Sequence, residues 1–402
     1  MNKLINLFFA LLFIIPVVGQ AQITTDRQDG RFQSTRGTVQ YMLKQMKPAY
    51  AFDPSFTPAE FKEWQSGLRT VMKELMHFPE IADLPAPVCI KTVQRDGYRV
   101  EKWESYPLPG SVVPYLVLIP DGVDPSHKAP AVLCMPGFGG SKEGLAGETE
   151  GDYELTSFPV EPVKKGAMAL HYVKRGLVAV AVDNPSCAEL SDNGHFDYLN
   201  TSRILLEMGW SYLGLTAYQD WNVLSWMKEL DFVNKDRLIV SGFSLGTEPL
   251  MVLGTLDPSI YAFVYNDFLC RTLERILVMT KPDPKGIRLF PNSIEHLIPG
   301  FLTQFDFPDL VAALAPRPVI CTEGGLDRDF DLIRKAYEIS GKPDHFTYYH
   351  YKKFADPKDR KQIEQVPEGI DRDTYFNLVN VDPKNHYFKE EWVLPWIDKV
   401  LK

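Results

Sequence analysis

Residues 237–246 read Arg-Leu-Ile-Val-Ser-Gly-Phe-Ser-Leu-Gly, a short apolar strand pattern that runs directly into Gly242-x-Ser244-x-Gly246. A serine at a sharp strand-to-helix turn sits in a strained backbone conformation, and the positions two residues away must be small for strand and helix to approach closely. Gly242 and Gly246 occupy those positions, and Leu250, Met251, Leu253 and Leu256 keep the next run apolar, as suits a helix buried against a sheet. Strand before and helix after make Ser244 the candidate nucleophile. Without that context the same five residues read equally as a glycine-lined turn around a buried serine.

A nucleophilic serine needs a base, and the base needs an orienting acid. In an α/β-hydrolase they follow in the order Ser, Asp or Glu, His. Residues 317–322 form another β-type run, which leaves into Glu323-Gly324-Gly325-Leu326-Asp327. Asp327 is the expected acid because ligand chemistry gathers at the carboxyl ends of parallel strands. Glu323, Asp329 and Asp267, the last after the run 261–265, compete with it. The expected base is His386, in Asn385-His386-Tyr387-Phe388, just ahead of a helical stripe of Phe388, Trp392, Val393, Trp396, Ile397 and Val400. His345 and His350 fall in the run 345–354, which reads as the last strand; their odd spacing sends them to opposite faces and to structural roles.

Acyl transfer also needs donors aimed at the oxygen that becomes negative. The apolar run 131–135 breaks at Pro136-Gly137-Phe138-Gly139-Gly140-Ser141-Lys142, and the main-chain N–H groups of Phe138 and Leu245 are the expected oxyanion pair. A phosphate cradle is the weaker reading, because the loop lacks the G-x-x-x-x-G-K-[ST] spacing and no G-x-G-x-x-G opens a helix. Asn184, Asp267 and Arg271, each following a strand-like run, are candidates for holding substrate.

A length of 402 residues with 45% hydrophobic content gives ample core for one large domain or one domain plus an extension. Lys3, the apolar stretch 4–18 and the small-x-small triplet Gly19-Gln20-Ala21 mark residues 1–21 as a signal peptide, too short in its apolar part for the ~20 residues of a bilayer span. The first cysteine is Cys89, so a lipid-attachment cysteine is not indicated and an exported, periplasmic or secreted protein is expected. Cys89, Cys134, Cys187, Cys270 and Cys321 are odd in number and mostly lie in apolar runs, which suits small core residues rather than disulfides. Neither C-x-x-C nor H-E-x-x-H occurs, and no metal or cofactor is expected. A net charge of −9 without a basic stripe argues against nucleic acid as a partner.

Residues 22–85 read as an N-terminal helical extension and 86–402 as the catalytic domain. Within the extension, Thr57-Pro58-Ala59-Glu60 is a capping box ahead of Phe61, Trp64, Leu68, Val71, Met72 and Leu75 on one helical face, and Pro79, Pro85 and Pro87 mark a linker. Beyond it, β-type runs at 91–103, 112–119, 131–135, 178–182, 238–240, 262–265, 318–322 and 346–351 alternate with helical segments at 168–175 and about 211–230. That alternation predicts an α/β fold with a doubly wound, mostly parallel sheet. The excursions 187–205 and 280–309 read as cleft walls or as tolerated surface insertions, and the charges of 355–385 as solvated.

The elbow Gly-Phe-Ser-Leu-Gly-Thr-Glu-Pro, the loop Pro-Gly-Phe-Gly-Gly-Ser-Lys, Ala315-Pro316-Arg317-Pro318 with the following Glu-Gly-Gly-Leu-Asp, and Asn-His-Tyr-Phe together resemble the acetyl-xylan-esterase-like α/β-hydrolases. More narrowly, the chain resembles exported esterases that accompany bacterial polysaccharide-uptake systems. The resemblance implies Ser244, Asp327 and His386 as a triad and plant-polysaccharide esters as substrates. Leu245 departs from it, since acetyl xylan and cephalosporin C esterases carry Gln after the nucleophile and glucuronoyl methylesterases carry Arg. An apolar Leu245 and an anionic protein favour small acyl esters over uronate methyl esters, unless Arg271 and Arg275 reverse the local charge. Two other readings are a prolyl-oligopeptidase-type peptidase, which the lack of propeller-like repeats disfavours, and a carbohydrate-binding protein with a degenerate site.

Overall fold

In the computed structural model, residues 23–148 and 166–402 are described, so the signal-peptide expectation for 1–21 lies outside the described residues. Nine strands make one sheet: β1 (Val88–Arg95), β2 (Tyr98–Ser105), β3 (Val113–Pro120), β4 (Ala129–Met135), β5 (Val178–Val182), β6 (Val233–Phe243), β7 (Ala262–Asn266), β8 (Val319–Cys321) and β9 (Phe346–Tyr348). Their order is β1-β2-β3-β5-β4-β6-β7-β8-β9. The first three strands are antiparallel and β3 joins β5 antiparallel, whereas every pairing from β5 through β4 to β9 is parallel. The mostly parallel, doubly wound sheet expected from the alternation is present.

Residues 91–103, expected as one strand, are a hairpin. Asp96-Gly97 forms a two-residue turn between the paired Arg95 and Tyr98, with Gly97 at φ 81°, a conformation that glycine adopts without a Cβ penalty. The last strand is shorter than expected and stops at Tyr348. The excursion 187–205 runs into the helix α5 (Tyr198–Glu207), and 280–309 into the helix Phe307–Ala313.

The central strands are apolar on both faces because both faces are covered. In β4, Ala131, Leu133 and Met135 join one core cluster while Val132 and Cys134 join the other; β5 divides likewise into Val178, Val180 and Val182 against Ala179 and Ala181. Helix α1 (Thr35–Gln45) lies ahead of α2 (Pro58–Met76), whose predicted capping box is formed by Thr57 and Glu60. Phe61, Trp64, Leu68, Met72 and Met76 of α2 enter the same core cluster as α6 (Tyr212–Met227) and α7 (Thr247–Leu256), so this helix completes a layer of the sheet. On the other face lie α3 (Lys142–Ala146), α4 (Met168–Val173) and the C-terminal helix Glu390–Val400. Helices α5 (Tyr198–Glu207) and α8 (Thr272–Val278) stand near the carboxyl ends of the parallel strands.

Where β6 ends, the chain turns sharply into α7. A Cβ on Gly242 would overlap the carbonyl of Gly246, and one on Gly246 would overlap Met135 O at the end of β4. The elbow is thus wedged against the neighbouring strand. Gly246→Ala is expected to cost about 1–3 kcal/mol by overpacking, read as a lower urea midpoint. An unchanged midpoint would mean that the strands part without cost.

Candidate active site

Ser244 occupies the turn at φ 52°, a left-handed conformation rare for a residue with a side chain. Its carbonyl accepts from Thr247 Oγ1 at 2.7 Å, which ties the strained residue to the first turn of α7. Ser244 and His386 line one cavity of about 310 Å³. The imidazole of His386 lies against the Phe243 ring, with centroids 4.7 Å apart and planes at 28°.

The carboxylate at His386 is Glu323. It stands two residues beyond β8 and is fully buried, and its Oε2 takes the hydrogen bond from His386 Nδ1 together with one from the Tyr351 hydroxyl at 3.0 Å. Its Oε1 accepts the Tyr387 N–H at 3.1 Å and lies 3.2 Å from Lys389 Nζ. A buried carboxylate needs such a set of donors to remain charged. Burial opposes charge on His386, but the hydrogen bond to Glu323 and the charges of Asp267 and Glu323 outweigh it and raise the imidazole pKa.

The expectation that Asp327 would meet His386 is not what the structure shows. Gly324 at φ 71° and Gly325 at φ 144° reverse the chain after Glu323, and a Cβ on Gly325 would lie only 2.5 Å from Leu269 O. Asp327 is carried to the start of the helix Asp327–Ile339, where its Oδ1 meets His350 Nε2 at 2.9 Å and Arg360 Nη1 at 3.1 Å, and its Oδ2 accepts from Gln362 Nε2 at 2.7 Å. Asp329 is paired with Arg271, at 2.6 Å. Asp267 does approach the site: it lines the cavity, 4.0 Å from His386 Nδ1, with one oxygen held by the Phe268 N–H at 2.8 Å. Burial pushes its carboxyl up to about 7 against the pull of the His386 charge, and the nearby Glu323 charge adds to the rise.

Among the described residues, Asp267, Glu323 and His386 bring ligand-type atoms within 4.8 Å of one another. The three hydrogen-bond donors and the Lys389 ammonium around Glu323 already occupy both of its oxygens. That donor set suits an imidazole–carboxylate pair better than a cation.

The loop after β4 packs against the elbow. A Cβ on Gly137 would lie 3.1 Å from that of Ser244, which sets the loop beside this serine. Asn184, expected to hold substrate, is instead buried and donates from Nδ2 to Gly137 O at 2.8 Å, bracing this loop. Behind the loop, the fully buried Lys142 ammonium lies 2.8 Å from each of Glu143, Asp183 and Glu189, and Asp183 also takes the Lys142 N–H at 2.7 Å. Phe138 is exposed at the rim, its ring 4.9 Å from those of Phe196 and Tyr198, while Leu245 is buried.

Arg271 does not line the Ser244 cavity; its Nε is engaged by Asp329, and it borders a separate hollow with Asp306 and Asp309. Arg275, one helical turn on, does line it. So do Arg372, Phe376 and Pro383, so that the insertion 355–385 builds a wall of the cavity and, through Arg360 and Gln362, grips Asp327. Glu248 Oε1 meets His296 Nδ1 at 2.8 Å on the same lining.

The sequence matches the Abhydrolase family model over residues 18–399. No curated protein matches it. Among solved structures it is similar to the "putative acetyl xylan esterase" of Bacteroides fragilis, with 57% identity, 94% of this chain and 98% of that one covered, and a TM-score of 0.89. A methylesterase shares the fold at 17% identity, 80% and 65% coverage and TM-score 0.53. A glucuronoyl esterase of Solibacter usitatus shares it at 12% identity, 74% and 87% coverage and TM-score 0.52. The resemblance read from the motifs is borne out.

Although burial opposes it, the bonds from Gln362, His350 and Arg360 hold the Asp327 carboxyl below its ordinary value. A depressed carboxyl adds stability above its unfolded pKa and loses it as pH falls through the folded one. Asp327→Asn is therefore expected to cost about 1–3 kcal/mol at pH 7, in a gap that narrows below about pH 4. Urea melts at the two pH values check this; a gap independent of pH would assign the loss to packing.

Proposed function

Because the chain belongs to the Abhydrolase family, we propose that it is a serine esterase removing small acyl groups from carbohydrate hydroxyls, with Ser244, His386 and Glu323 as its reacting set. It is a carboxylic ester hydrolase. The observation that carries the assignment of the acid is the hydrogen bond from His386 Nδ1 to the buried Glu323, while Asp327 is engaged with His350. Ser244 Oγ attacks the ester carbonyl as His386 accepts its proton; the carbon–oxygen bond to the sugar breaks, and His386 returns the proton to the departing alcohol. Water, deprotonated by the same imidazole, then releases the acid. Glu323 holds the tautomer that leaves Nε2 free to act and stabilises the imidazolium. The N–H groups of Phe138 and Leu245 are the proposed oxyanion donors, and Asn184 and Lys142 keep their loop in place.

The carbohydrate reading is supported by the acetyl xylan esterase assignment of the relative at 57% identity. Among the described residues no helix is long and apolar enough to cross a membrane. The leader-like residues 1–21 support export.

Ser244→Ala is expected to keep its circular dichroism and lose turnover of p-nitrophenyl acetate by on the order of 10⁶. Glu323→Gln is expected to lose on the order of 10⁴, as when a triad acid is neutralised, and Asp327→Asn far less. A larger loss in Asp327→Asn would transfer the acid's role back to it. The neutral imidazole is the base, so kcat/KM of the native enzyme rises with pH through a midpoint above the ordinary histidine value of about 6.5. In Glu323→Gln that midpoint moves to lower pH, because the bond that raised it is weakened. An unmoved midpoint would assign the limb to another group.

A further inference from the structure

Arg275 lines the cavity that holds Ser244 and His386. It differs from Arg271, one turn earlier, whose guanidinium is taken by Asp329. Arg275 Nε is buried and has no hydrogen-bond partner, and Nη1 has the Cys270 Sγ at 3.9 Å. Among the described residues it forms no ion pair. A guanidinium is always charged and offers a planar fork of donors, so one whose neighbouring carboxylates, Glu248 and Asp267, act on it through space without an ion pair keeps donors for an anion that can enter beside it.

The carboxylates of the same lining each have another partner through one oxygen. Glu248 gives one oxygen to His296, and Asp267 is held by the Phe268 N–H beside His386. A second guanidinium, that of Arg372, borders the cavity from the insertion, lying over the Phe376 ring at 5.2 Å, and it too forms no ion pair among the described residues. On a protein of net charge −9, two cations without an ion pair, one from α8 and one from the insertion, border one cavity and oppose the overall repulsion of acidic ligands. Beside them, Glu248 Oε2 and Asn292 Oδ1 are buried acceptors without partners. Cations with neighbouring acceptors fit a molecule that carries both a carboxylate and hydroxyl groups.

We propose that Arg275 is a specificity-determining residue that takes a free carboxylate on the glycan, so that the preferred acyl ester is borne by an acidic, uronate-containing sugar chain. The inference rests on the esterase reading and adds to it the charge of the sugar. A methyl ester of that same carboxyl has lost the charge that Arg275 would take, so the group removed is an acyl group on a neighbouring hydroxyl.

The test uses p-nitrophenyl acetate hydrolysis as readout and galacturonate and galactose as competing ligands, two sugars that differ by one carboxylate. Galacturonate is expected to inhibit at a concentration at least about ten-fold lower than galactose, the worth of one charge-assisted hydrogen-bond pair. In Arg275→Gln the ratio falls to about one, in Arg275→Lys it is partly kept, and in Arg271→Gln, outside the cavity, it is retained. Equal inhibition by the two sugars in the native enzyme overturns the proposal without the need for any variant, as does loss of the preference in Arg271→Gln but not in a folded Arg275→Gln. Failure to hydrolyse p-nitrophenyl acetate at all would count against the esterase reading instead. Calorimetric titration of Ser244→Ala with the same two sugars then decides the carboxylate question independently.

Discussion

The parallel pairing of β4 with β6 brings the Met135 carbonyl against the Cα of Gly246, and the space left there admits a hydrogen and nothing larger. From that closeness follow the strained turn at Ser244 and the position of the 136–142 loop beside it. Neither segment could move away alone, since the loop is held from behind by the Lys142 cluster and the elbow runs straight into a buried helix. The strain at Ser244 is stored where two rigid strands meet, which is where a strained side chain is least costly to keep in place.

Glu323 shows how a buried charge is made tolerable in such a frame. Each of its oxygens has two partners: His386, the Tyr387 N–H and Lys389 from the approach to the C-terminal helix, and Tyr351 from beyond β9. Taking away any one donor would leave the carboxylate less compensated in an environment without water. The same packing that orders the helix Glu390–Val400 therefore orders His386, because the histidine lies within the residues that reach back to Glu323.

The elbow, the capped α2 and the stripe of the C-terminal helix were legible in the sequence because each is local: strand, turn and helix patterns lie within some twenty residues, and periodicity alone places them. Ser244 and His386 were legible on those grounds, and the structure brings them to one cavity. The acid was not. Glu323 and Asp327 are four residues apart, and which of them faces His386 is decided by two glycines at positive φ and by the close approach of Gly325 to Leu269, a contact between the segments that follow β7 and β8, far apart in sequence. Asn184 misled for a similar reason, since a polar residue beyond a strand can brace a loop as readily as it can hold a ligand. Arg275 resembled Arg271 on paper, and burial and partners separate them.

The insertion 355–385 is fixed outside the cavity and contributes to its lining: Arg360 and Gln362 anchor it to Asp327, and Arg372 and Phe376 form part of the cavity wall. Its anchor is thus apart from Glu323, on a carboxylate with no bond to His386. Asn380, in the same stretch, bonds the Gly325 carbonyl and backs Gly324, so recharging Arg372 alone could alter what the cavity admits, whereas exchanging the whole insertion would also disturb the turn that presents Glu323.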